Sequence, residues 1–238
     1  ESNGEFVCTG IAGMEDSVTT VVYKLDQQGN IIWSNTFEQT EVASILPFEN
    51  GYILAGTRIK QVSNTESLNF MYAIKTDLDG NQIDSVTYGN ESDELDFATS
   101  SAVIASDGSL VLLGSAENED DSESAILWSI SSSDFSTNYV RQYDLISRNY
   151  ENGKSLLETN DAKFIWAGSA LIPEEDDFDS YITIPVIEPG AEFVNNNLFG
   201  QTLPENYRGT DIAKTFSGYS IIGTQTDGDD ANANIVLI

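Results

Sequence analysis

The sequence predicts an all-β fold, a β-propeller of four-stranded antiparallel blades, five in number. Three observations carry that expectation. First, an apolar run closing in Gly, a polar or acidic loop and a second apolar run recur along the chain. The closing glycines, Gly10, Gly56, Gly114, Gly168 and Gly223, stand 46, 58, 54 and 55 residues apart, a period that suits a blade of several short strands. Second, Asn-Gly and Asp-Gly turns sit between extended runs, where Gly and Asn tolerate the positive φ of hairpin turns. Third, β-branched and aromatic residues fill the apolar runs without a sustained 3.6-residue period. Several runs are continuously apolar, which means that both faces of the sheet are covered.

The elements follow in order. The first repeat, about residues 1–41, opens on a second strand, Glu5–Gly10, and continues with Val21–Asp26, the turn Asp26–Asn30 and an outer strand carrying Trp33. The second, 42–97, is the clearest: Val42–Pro47, the turn Glu49–Gly51, Tyr52–Gly56, a polar loop, Phe70–Lys75, the turn Asp77–Asn81 and Gln82–Tyr88. The third, 98–152, holds Ala98–Ile104, the turn Ser106–Gly108, Leu110–Gly114 and Ala125–Ser131; the fourth, 153–209, holds Gly153–Glu158, Phe164–Gly168 and Tyr181–Ile187. The fifth, 210–238, holds Asp211–Phe216, Ser220–Gly223 and Asn234–Ile238. All five are read as one domain that begins on a second strand and ends on a third. That makes about 18 strands; a five-unit segment of a larger ring is the alternative. The absence of an initiator Met reads as processing.

Composition excludes several functions. The formal charge is −29, from 39 acidic and 10 basic residues. Nucleic acid and anionic lipid are excluded as partners because phosphate recognition needs clustered Lys and Arg. With no His and a single Cys, zinc sites and Cys-His or Ser-His-Asp catalysis are excluded as well. Cys8, between Val7 and Thr9, is read as a buried, inert side chain. No apolar run reaches the ~18 residues of a membrane helix.

Strand order sets two faces. Loops joining second to third strands, and outer strands to the next inner strand, share one face, and most of the acidic residues fall there. Long loops on a rigid scaffold are where binding resides. Within Asp227–Asn234, the residues Asp227, Asp229, Asp230, Asn232 and Asn234 offer closely spaced oxygens for calcium; solvated charge is the competing reading, and no other cofactor is expected. Two blade-to-blade segments, Arg148–Gly153 and Glu205–Gly209, bring Arg148, Tyr150, Tyr207 and Arg208 to the same face. A Tyr ring beside guanidinium and amide groups suits sugar or peptide binding; bracing of neighbouring blades is the alternative role.

Lys24, Asp26, Gly29, Asn30 and Trp33, and again Lys75, Asp77, Gly80 and Asn81, carry a pattern that resembles the β-propeller repeats of surface and secreted proteins of Bacteroidetes. It is similar, more distantly, to quinoprotein-like propellers. Asp84 stands at the tryptophan position in the second copy, so no quinone-binding residues carry over. The resemblance implies an extracellular or surface location, attached to the outer membrane of a Gram-negative bacterium. The expected function is a non-catalytic binding scaffold that docks a protein partner or a glycan, as an accessory lipoprotein of an outer-membrane complex. The alternative is a propeller glycoside hydrolase or lyase working through Glu41, Glu158 and Asp211, the carboxylates near the expected inner strands.

Overall fold

The computed structural model describes residues 4–13, 18–63, 66–89, 95–118, 122–143, 150–173, 178–190, 192–199, 206–226 and 234–237. The fold is all-β: five successive up-and-down antiparallel sheets, the blades of a β-propeller. Blade one holds β1 (Phe6–Ala12), β2 (Thr19–Leu25) and β3 (Ile31–Glu38); blade two holds β4 (Thr40–Phe48), β5 (Gly51–Gln61), β6 (Ser67–Asp77) and β7 (Gln82–Tyr88). Blade three holds β8 (Phe97–Ile104), β9 (Ser109–Glu117), β10 (Glu123–Ser131) and β11 (Thr137–Tyr143). Blade four holds β12 (Tyr150–Glu158), β13 (Phe164–Pro173), β14 (Phe178–Ile187) and β15 (Phe193–Phe199). Blade five holds β16 (Asn206–Lys214), β17 (Tyr219–Thr226) and β18 (Asn234–Leu237). Among the described residues no helix is long and apolar enough to cross a membrane.

The blades are not all four-stranded. Among the described residues the first and last sheets have three strands each, in the orders β1-β2-β3 and β16-β17-β18. The chain divides into two compact units, Glu1–Thr99 and Ser100–Ile238.

The recurring glycines have a packing cause. In blades two, four and five the inner strand carries a β-bulge, between Val42 and Ser44, Gly153 and Ser155, and Gly209 and Asp211. Opposite each bulge lies a closing glycine, in the pairs Val42–Gly56, Gly153–Gly168 and Gly209–Gly223. A Cβ on Gly56, Gly168 or Gly223 would stand 2.0, 2.1 or 2.7 Å from the carbonyl oxygen of Glu41, Asn152 or Arg208. The bulge pushes backbone into the space a side chain would fill. Gly10, on β1 at the edge of its sheet among the described residues, meets nothing nearer than Tyr23 at 3.9 Å.

A bulge also frees backbone polar groups, and buried ones require partners. In the first unit the Thr20 hydroxyl, fully buried, donates to the Thr40 carbonyl at 2.6 Å and accepts from the Val42 N–H at 3.2 Å. Thr57 Oγ1 accepts from the Thr99 N–H at 2.9 Å. In the second unit Ser100 Oγ donates to the Gly153 carbonyl at 2.6 Å, and Ser101 Oγ accepts from the Leu156 N–H at 3.1 Å. Hydroxyls on one blade thus complete the backbone bonding of the next.

Both faces of the middle strands are apolar because each faces a different neighbour. In β13, Phe164 and Trp166 pack with Val111, Leu113, Leu127 and Tyr143 of blade three. The alternate residues Ile165 and Ala167 pack with Tyr207, Ile212 and Ile221 of blade five. In the first unit Tyr52, Leu54, Tyr72 and Ile74 close on Val22 and Phe37.

Cys8 departs from expectation: it is exposed, on β1, an edge strand of the described sheet.

Two substitutions test the glycine rule. Gly56→Ala forces backbone apart and is expected to cost about 1–3 kcal/mol, a fall in Tm of several degrees by scanning calorimetry. Gly10→Ala is expected to leave Tm unchanged or raise it, since it removes unfolded-state freedom worth about 0.4–1 kcal/mol. Equal losses at both positions would refute the rule. Thr20→Val keeps the shape but strands the Thr40 carbonyl and Val42 N–H; a loss of about 1–3 kcal/mol is expected in urea unfolding.

Candidate functional site

The turns joining third to outer strands are built from Asp, Gly and Asn in fixed positions. Asp26 Oδ1 accepts from the N–H groups of Gln28 (2.9 Å) and Asn30 (2.8 Å), while Oδ2 accepts from Asn30 Nδ2 at 2.8 Å. Asp77 repeats this with Asp79 (2.9 Å), Asn81 (2.8 Å) and Asn81 Nδ2 (2.9 Å). Gly29 and Gly80 supply φ of 83° and 76°, which only glycine adopts without strain. Bonds from the Asn30 and Asn81 side chains, then from their backbone N–H groups, hold the two aspartates below the ordinary carboxylate value of 3.8. Asp134 is lowered to about 2 by the hydroxyls of Ser131 and Ser136.

In the first unit one such turn is a docking surface. Trp33 Nε1 donates to the Leu78 carbonyl and Asn35 Nδ2 to the Asp79 carbonyl, both at 3.0 Å. A Cβ on Gly80 would come within 2.7 Å of the Trp33 ring, so glycine serves both the turn and the indole. The tryptophan of the repeat pattern therefore braces blade one on blade two.

Two of the three carboxylates considered for catalysis, Glu158 and Asp211, have structural partners. Glu158 accepts from the Ser106 N–H at 2.8 Å through Oε2 and from the Ser106 hydroxyl at 2.7 Å through Oε1. Asp211 Oδ1 accepts from the Ser155 hydroxyl at 2.5 Å and from the Ile212 N–H at 2.8 Å. Each ties an inner strand to the neighbouring blade. Glu41 lies in β4 opposite Thr57, in the first unit. Among the described residues no three acidic or Cys side chains gather to hold a metal ion.

Of the sequence-predicted binding residues, the structure describes the side chains of Tyr207 and Arg208. Tyr207 is in β16, not in a loop; it is 4% exposed, with its ring edge-on to Phe199 at 5.4 Å in the core between blades four and five. Its spacing put Tyr207 at a loop tip, but β16 starts at Asn206 and alternation turns the ring inward. Arg208, next along the strand, is exposed. Tyr150 begins β12. Arg148 and the calcium candidates Asp227, Asp229, Asp230 and Asn232 lie outside the described residues, and Asn234 begins β18.

A groove that the sequence reading missed lies between blades one and two. It encloses ≈ 280 Å3 and is lined by Thr36, Glu38, Thr40, Arg58, Tyr72, Gln82 and Ser85, with Phe37 and Ile74 at its base. Its wall is formed at the passage from blade one to blade two, where long connections were expected. Only Gln39 separates β3 from β4, with φ of 51°, a strained value for a residue with a side chain. The Ile59 N–H donates to the Gln39 carbonyl at 2.8 Å. Arg58, exposed at the far wall, pairs with Thr40 across the sheet. Its guanidinium lies 5.2 Å from the centre of the buried Tyr72 ring, and Nη1 donates to Tyr72 Oη at 3.4 Å. Gln82 Nε2 donates to Ser85 Oγ at 3.2 Å, and Thr40 Oγ1 to the Glu38 carbonyl at 3.0 Å. This lining is polar, pre-organised and of both charges.

No protein-family model matches the chain, and no curated protein matches it. Among solved structures it is similar to a hypothetical protein from Leishmania major, at 12% identity and a TM-score of 0.47, over 99% of this chain and 86% of that one. It is also similar to an α-L-arabinanase of Cellvibrio cellulosa, at 9% identity and a TM-score of 0.47, over 96% of this chain and 90% of the other.

The anchored turns make acid sensitivity measurable. Because Asp77 has a folded pKa below its unfolded value, its stabilising effect is complete above about pH 4 and is lost as pH falls through the lowered folded value. The Tm difference between the native chain and Asp77→Asn is therefore expected to be largest near neutrality and to shrink as pH falls towards 2. A difference constant across that range would show that Asp77 acts without its charge.

Proposed function

We propose that this chain is a non-catalytic binding propeller, secreted or held at the cell surface, that takes a glycan in the groove between its first two blades. The chemistry of the carboxylates supports this most. Glycoside hydrolysis needs one carboxyl kept protonated and a second free to act on the sugar or on water. Both oxygens of Glu158 are already acceptors, and Asp211 is engaged by Ser155 and its own strand. These groups serve as struts between blades.

The groove offers what a sugar requires: hydroxyl and amide groups on its walls, a planar guanidinium, and apolar carbons of Phe37 and Ile74 beneath. Sugar rings present hydroxyls around an apolar C–H face, and such a lining matches both. A surface setting as an accessory lipoprotein of an outer-membrane assembly accords with the repeats that the sequence resembles. It also suits the −29 charge, which keeps a chain dispersed.

Oligosaccharides of different composition, titrated calorimetrically and then assayed for released reducing ends, test the proposal. Saturable heat with no release is the expected result. Reducing ends that appear with the native chain, and disappear in Glu158→Gln and Asp211→Asn proteins of unchanged Tm, would establish a hydrolase instead. Absence of heat with every sugar would overturn the glycan reading.

A further inference from the structure

The groove contains a cation in a chain with ten basic residues against 39 acidic. Among the described residues, Lys24 and Lys163 pair with carboxylates, at 2.9 Å from Glu5 and at 3.2 and 3.3 Å from Glu188 and Asp161, while Arg141 and Lys214 bond the Val140 carbonyl and the Asn160 amide oxygen. Arg58 pairs with none of the described carboxylates. It stacks on Tyr72 and spends one long bond on the Tyr72 hydroxyl. The ring contact and that bond hold the guanidinium beside the groove, which Arg58 lines. A fixed fork of that kind matches the two oxygens of a carboxylate.

The remaining walls narrow the choice. Glu38 is a carboxylate, and it repels a second negative charge while accepting bonds from hydroxyl donors. Thr36, Ser85 and Gln82 supply side-chain donors and acceptors. A volume of ≈ 280 Å3 lies just below the range of small-ligand sites, about 300–1,000 Å3, so the occupant is a single ring and not an extended chain. Building on the glycan reading above, we infer that the groove binds a uronic acid residue, its one carboxylate on Arg58 and its hydroxyls on Glu38, Thr36 and Ser85.

The experiment uses the whole chain and three probes: methyl glucuronide, its neutral counterpart methyl glucoside, and a short peptide with a free C-terminal carboxylate. The glucuronide is expected to bind in calorimetry and the glucoside to bind at least about tenfold more weakly, the worth of a charge-assisted bidentate pair. Arg58→Gln should abolish that preference, and Arg58→Lys should restore only part of it, because lysine keeps the charge without the fork. Arg58 is exposed, so Tm should stay unchanged in both variants. Equal binding of glucuronide and glucoside would overturn the uronate assignment and leave the glycan reading standing. Tighter, Arg58-dependent binding of the peptide would replace the sugar with a chain terminus. Heat from none of the three would overturn the assignment, and the oligosaccharide titrations would then decide the glycan reading separately.

Discussion

The structure depends on a close approach of backbone to backbone at the inner strands. A bulge there bends the strand and turns a carbonyl towards the second strand, to a distance that only glycine allows at Gly56, Gly168 and Gly223. The same bulge would leave amide and carbonyl groups unpaired in the interior. Hydroxyls of Thr20 and Ser100, reaching from the adjacent blade, pair them. Local irregularity and blade-to-blade cohesion therefore have one cause. Each is stable only in the presence of the other.

Around that frame, apolar burial supplies the bulk and polar contacts supply the register. Trp166 and Trp128, both fully buried, fill interiors that non-directional packing would allow to slide. Directional bonds prevent this: Trp33 and Asn35 on the Asp77–Asn81 turn in the first unit, and Glu158 on Ser106 in the second. The acidic residues that make such contacts are committed to architecture.

The groove follows from the shortest connection in the described chain. With Gln39 alone between β3 and β4, blade one's outer strand and blade two's inner strand diverge from a single strained corner. Side chains on both strands face the space between them. Arg58 is held at its edge by the ring of Tyr72.

The sequence alone determined what depends on neighbours along the chain. The period of the closing glycines, the Asp-x-x-Gly-Asn turns and the doubly apolar middle strands all rest on local sterics and strand periodicity, and the structure places strands and turns at these positions. Tertiary structure decided what depends on contacts between strands distant in sequence. The repeat shows a glycine at position 10 as plainly as at position 56, yet only the latter faces a bulge. Tyr207 reads as a loop residue until β16 begins one residue before it and turns its ring into the core. Arg58 and Tyr72, 14 residues apart, acquire meaning only when a hairpin sets one over the other beside a strand from another blade. Side-chain direction and cross-blade distance decide each case, and neither is written in local pattern.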